Sequence, residues 1–121
     1  MMPSISIQTS SDVALAVELR VEFLEVMGVP LPPESIGSFR EANRSHFEAG
    51  FLDDSIALFL ATVDDAIAGC AMLQMQKMIP NRIVPSGRTG MVLNVLVREA
   101  FRRRGVGETL MQAVEAEGWV R

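Results

Sequence analysis

The chain has 121 residues, enough for one domain and too few for two. At 49% hydrophobic and 21% charged it is core-forming, and its one cysteine and one histidine exclude a disulfide framework, a cysteine-based zinc site and a histidine cluster. The net charge of −4 is unevenly spread: Arg20, Arg40 and Arg44 face eleven acids in residues 1–76, whereas Lys77, Arg82, Arg88, Arg98, Arg102, Arg103 and Arg104 face Glu99 alone in residues 77–104.

A local basic patch on an acidic chain suits a small anionic ligand and argues against a nucleic-acid partner, whose binders are basic throughout. The first residues, "MMPSISIQTSSD", lack the basic start and apolar centre of a signal peptide. The longest apolar run, Ile56 to Ala61, falls far short of the ~18 residues that a membrane span needs. A reducing cytoplasm, with no membrane partner, is the expected setting.

In chain order, "SISIQ" alternates Ile5 and Ile7 with polar residues and predicts a short strand. Thr9 to Asp12 form a helix-capping pattern, followed by a helix over Asp12 to Met27 that stops at Gly28. On it Glu18, Glu22 and Glu25 share one face, expected to be the solvated side, and Val17, Val21 and Leu24 share another. After a proline-rich connector, a second helix begins near Pro33 and runs to about Ala49, with Gly50 as its stop. "SIALFLATV", the Asp64-Asp65 turn and "AIAGCAMLQMQKM" predict a hairpin from Ile56 to Met78. Met72, Met75 and Met78 read as packing, and Cys70 as a buried, unreactive thiol. "IPNRIVPSGRTG" is a turn-rich loop, "MVLNVLV" a strand, and Val106 to Trp119 a helix with Leu110, Ala113 and Val114 on one face.

The joint between that strand and helix carries the chemistry. Gly105 and Gly107 let a ligand approach the backbone closely, and a helix starting there offers unpaired amides and the positive end of its dipole. Such a joint binds phosphate, and Arg102, Arg103 and Arg104 add charge beside it. The Walker loop is excluded because Glu108 follows Gly107. The dinucleotide fingerprint is excluded because its third glycine position is Leu110.

Arg102, Gly105 and Gly107 do fit Arg-x-x-Gly-x-Gly, and "GMVLNVLVREAFRRRGVGETLMQAVEAEG" resembles the strand–loop–helix core of the GNAT family of acetyl-CoA-dependent N-acetyltransferases. The upstream order, one strand, two helices and a hairpin, is similar to that family too. The resemblance implies an α+β fold in three layers (αβα), with a mixed, mostly antiparallel sheet and helices on both faces. It implies one domain over residues 1–121 that lacks the family's C-terminal part, and acetyl-CoA as cosubstrate for an amine acceptor. By position, the backbone of Leu96 and Val97 would hold the pantetheine arm and the acetyl carbonyl. Amides from Arg103, Arg104, Gly105, Val106 and Gly107 would hold the pyrophosphate, with Arg102 as the motif's first residue.

Two departures limit this expectation. The family's usual Pro-Glu-Tyr/Phe turn is Arg98-Glu99-Ala100-Phe101, and the position of its frequent general base is Asn94, which takes up no proton near neutrality. With no tyrosine in the chain, no catalytic residue is assigned. The alternative is a weak or inactive CoA-binding or regulatory module. His46, on the second helix, reads as a surface residue on a helix that lines the family's acceptor site. The acid-rich early segment hints at a cationic amine. An open edge along "MVLNVLV" is expected to pair two chains as a homodimer.

Overall fold

The computed structural model describes residues 4–120, in which every strand pairs antiparallel with its neighbour. The sheet order follows the chain: β1 (Ser6–Ser10), β2 (Ile56–Val63), β3 (Ala66–Lys77) and β4 (Arg88–Val97). Helices α1 (Val13–Val26) and α2 (Ile36–Leu52) lie on one face, and α3 (Val106–Val120) on the other. The three-layer α+β arrangement is therefore as expected.

Its cores follow from strand alternation. Leu58, Leu60, Cys70 and Met72 point to α1 and α2, while Phe59, Ala61, Ala71 and Leu73 point to α3. Covered on both faces, β2 needs the unbroken apolar run that marks it in the sequence. Val106, Leu110 and Val114, four residues apart, form the buried stripe of α3.

Local signals held at most boundaries. Asp12 caps α1, its Oδ1 accepting from the Leu15 amide at 3.1 Å. Asp64 and Asp65 both have positive φ (51° and 65°), the two-residue turn whose twist matches a hairpin. Several boundaries moved: β1 covers Ser6–Ser10 rather than "SISIQ", and α2 begins at Ile36 rather than near Pro33. Gly50 lies inside α2 rather than ending it, and it is glycine there because Ile56 of β2 packs into the space a side chain would fill. Strand β4 begins at Arg88 rather than Met91, since Arg88, Thr89 and Gly90 pair with Lys77, Gln76 and Met75.

Glycine is required most directly at Gly69. A Cβ there would overlap the Leu96 carbonyl oxygen on the neighbouring strand, so β3 and β4 reach this spacing only without one. The register then slips between Cys70 and Met72: Leu96 faces Cys70, but Leu93 faces Met72. The extra residue is a β-bulge at Asn94, which adopts φ 56°.

Candidate functional site

The bulge, the loop after β4 and the first turn of α3 form one continuous surface. Beyond β4 a 3-10 turn (Glu99–Phe101) leads into Arg102 to Gly105, where Arg103 and Gly105 take positive φ (65° and 80°). Alternating backbone handedness of this kind turns successive amides to one side. Intrahelical bonding starts with the Thr109 amide donating to the Gly105 carbonyl at 3.0 Å. Among the described residues no protein acceptor takes the amides of residues 103–108. The helix dipole adds partial positive charge to them.

The arginines differ in their tasks. Arg102 donates from Nε to the Val97 carbonyl at 3.2 Å, tying the loop to the end of β4. Arg104 lies over the Phe101 ring, 5.9 Å from its centroid. Both are exposed, as is Arg103, and among the described residues none of the three has a carboxylate partner. Arg98, expected only as a departure from the family's turn, is a clamp. It binds Glu22 of α1 through two bonds of 2.9 and 3.0 Å and the Ile67 carbonyl at 3.2 Å.

Leu96 and Val97 divide by strand parity. The Arg98 amide donates to the Ala68 carbonyl at 2.8 Å, so alternation turns the peptide groups of Leu96 toward β3 and those of Val97 away from it. Val97 thus offers its N–H at the open edge of β4, next to the loop. Leu96 is buried and sets the spacing of the two strands above Gly69.

On the other face of the bulge, a cleft of about 190 Å³ runs between α1, α2 and β4. Its polar lining is Arg20, Asn43, His46, Gln74 and Asn94; Phe47, Met72 and Leu93 supply the apolar part. Asn94 is fully engaged: its amide donates to the Leu19 carbonyl at 3.2 Å, and its oxygen accepts from Arg20 Nη1 at 3.2 Å. It holds the bulge to α1. His46 Nε2 lies 2.8 Å from Gln74 Oε1 across the cleft mouth.

The sequence reading missed Arg20. It follows Ala16 by one helical turn, so it is a charged residue beside the buried stripe of α1, and that position was the available signal. The acidic face of α1 is not simply solvated: Glu22 holds Arg98, and Glu18 pairs with Arg40 of α2. Among the described residues no carboxylate lines the cleft.

Cys70 lies beneath the bulge, fully buried, with Sγ 3.5 Å from the Asn94 carbonyl. Burial pushes its pKa up to about 11, so the thiolate is scarce at neutral pH. The native chain should leave a thiol-reactive dye unreacted at pH 8 and take up one equivalent per chain in denaturant. Stoichiometric labelling of native protein within minutes would contradict this burial.

Among the described residues no helix is long and apolar enough to cross a membrane. Residues 18–119 match the family model described as "Acetyltransferase (GNAT) family". No curated protein matches the chain. Several solved structures do. A protein described as a predicted acetyltransferase, solved with acetyl-CoA, from Clostridium acetobutylicum has a TM-score of 0.81 at 16% identity, over 94% of this chain and 73% of that one. A GCN5-related N-acetyltransferase from Ralstonia eutropha JMP134 has a TM-score of 0.81 at 20% identity, over 94% and 75%. An integron cassette protein from the mobile metagenome of Cole Harbour Salt Marsh has a TM-score of 0.70 at 24% identity, over 92% and 68%.

Proposed function

Because the chain belongs to the GNAT acetyltransferase family, we propose that it is an N-acetyltransferase moving the acetyl group of acetyl-CoA to a primary amine, in the cytoplasm. The observation that carries this reading is the run of amides from Arg103 to Glu108 that have no protein acceptor among the described residues, continuous with the outward N–H of Val97. In this proposal the amides of Arg103, Arg104, Gly105, Val106 and Gly107 hold the pyrophosphate. The side chain of Arg102 keeps their loop in place, and Arg103 and Arg104 supply charge. The structure of the Clostridium acetobutylicum protein, solved with acetyl-CoA, supports the choice of cofactor.

The thioester would lie along the open edge, with Val97 N–H directed at its carbonyl oxygen and Leu96 fixing the bulge behind it. The amine nitrogen attacks the carbonyl carbon, a C–N bond forms, and the C–S bond breaks. The proton lost by the amine balances the charge on the departing thiolate. One aimed backbone donor contributes about 3 kcal/mol to such a step by stabilising the oxyanion.

A second reading, a CoA-binding module with little catalysis, is favoured by one specific observation. Asn94 stands where a base is expected, and both ends of its amide are already bonded. Turnover decides between the two. Release of CoA thiol from acetyl-CoA, followed by a chromogenic thiol reagent across a panel of amines, should depend on the amine and on this protein. The buried Cys70 leaves the assay background low. Amine-independent hydrolysis, or none, with CoA still bound, would favour the module.

We also propose that the chain, as one domain, self-associates along the Met91 to Val95 part of β4, leaving the Val97 end to the thioester. Among the described residues β4 has only β3 beside it, and Met91, Val92 and Val95 are exposed there without the proline or lysine that guards free edges. Light scattering coupled to gel filtration should report a dimer; a monodisperse 13.3 kDa species would overturn this.

A further inference from the structure

We infer that the cleft between α1, α2 and β4 takes an acceptor that carries a carboxylate as well as its amine, an amino acid or a molecule of that size. This rests on the reading of the cleft as the acceptor side of an acetyltransferase. The cleft's cation is Arg20. Its guanidinium has five N–H groups, of which Nη1 makes one bond to Asn94 Oδ1. The group also stands over the Phe23 ring, 5.9 Å from the centroid. Among the described residues no carboxylate pairs with it, although α1 carries three glutamates. Topology explains why. Glu22 faces the end of β4 and is taken by Arg98, and Glu18 faces α2 and is taken by Arg40.

Among the described residues the cleft therefore contains a fixed cation and no fixed anion. An arginine fork matches a carboxylate in a bidentate fashion and stays charged at every working pH. A purely cationic amine meets repulsion there, which reverses the expectation drawn from the acid-rich sequence. His46 and Gln74 are bonded to each other at the mouth, and Asn43 donates to the Phe39 carbonyl at 2.9 Å, so none of the three supplies an anionic site for an ammonium. The volume, about 190 Å³, lies below the roughly 300–1,000 Å³ of pockets for drug-sized ligands and admits a small head only. Phe47, Met72 and Leu93 leave one side apolar, suited to a short hydrocarbon or thioether side chain.

Matched pairs that differ only in the carboxylate test this: L-methionine against 3-(methylthio)propylamine, and L-phenylalanine against phenethylamine. With acetyl-CoA and the full chain, kcat/KM referred to the free-amine fraction should favour the amino acid by about tenfold or more in at least one pair. Arg20→Met should bring the pair to parity by lowering the amino acid's value, while Arg20→Lys keeps part of the preference. Equal values in wild type, a preference for the decarboxylated amine, or a preference that survives Arg20→Met would each overturn the inference and leave acetyl transfer standing. The wild-type comparison alone decides if the variants fail to fold.

A binding readout separates this inference from the catalytic one. Calorimetric titration with N-acetyl-L-methionine and with N-acetyl-3-(methylthio)propylamine needs no turnover. Heat with the first and not the second supports the carboxylate site even if acetyl transfer proves absent. Equal heat, or none with the carboxylate, overturns it.

Discussion

Saturating acetyl-CoA should raise the thermal midpoint of this protein by roughly 10 °C, and Gly107→Glu should remove that shift. A ligand that binds only the folded state at 100 times its Kd stabilises by about 2.7 kcal/mol. For a domain of this size each kcal/mol moves the midpoint by a few degrees. Gly107 makes a discriminating site because the protein itself leaves room there. A Cβ would meet only Val97 Cγ2 at 3.6 Å, an ordinary contact, and the backbone is helical. Glutamate in the first turn of α3 also suits the dipole and helix propensity, so the unliganded midpoint should hold or rise slightly. Yet its side chain covers the free amides and its charge opposes a pyrophosphate. Differential scanning fluorimetry of both proteins, with and without acetyl-CoA, reads all four values. A shift of equal size in the variant would place the ligand elsewhere.

Gly69→Ala should cost roughly 2–3 kcal/mol and lower the midpoint by about as much as the cofactor raises it. The new methyl group would meet the carbonyl oxygen of Leu96, a backbone atom held in the β3–β4 ladder, so no rotamer change relieves the overlap. The strands must part at the point where the bulge begins. Gly50→Ala is the instructive comparison. There the closest atoms are Ile56 Cδ1 and Cγ1, which a change of rotamer can move, Ile56 Cβ at 3.0 Å needs only a small shift, and a helix interior favours alanine. Denaturant melts should therefore rank Gly69→Ala well below Gly50→Ala in stability. Similar values for the two would mean that the ladder yields more easily than its geometry implies.

Gly105 and Gly50 illustrate why some of the fold and site was legible in the sequence and some was not. Gly105 could be assigned from its neighbours, because a positive φ at a strand-to-helix joint is a local demand. Gly50 was misjudged as a helix stop, since its reason for being glycine is Ile56, a residue of the next element. The Asp64-Asp65 turn, the Asp12 cap, the apolar stripe of α3 and the unbroken run of β2 are likewise short-range patterns, and each formed where its pattern stood. The start of β4 was missed because Arg88 to Gly90 carry turn-like residues, and ladder bonds to β3 outweigh that preference.

By itself, then, the sequence determined the element order, the two-faced burial of the central hairpin and the amide-rich loop at Arg102 to Gly107, because periodicity, capping and backbone freedom act within a few residues. Tertiary structure alone decided which charges remain free. Arg98 meets Glu22 across 76 residues and Arg20 meets Asn94 across 74, contacts that exist only because the antiparallel order lays the first helix over the last strand. An acidic helix face thereby becomes a set of clamps, and its one arginine becomes a cleft cation that among the described residues has no carboxylate partner. Charge counted along a chain cannot show this, because pairing depends on distances set by packing.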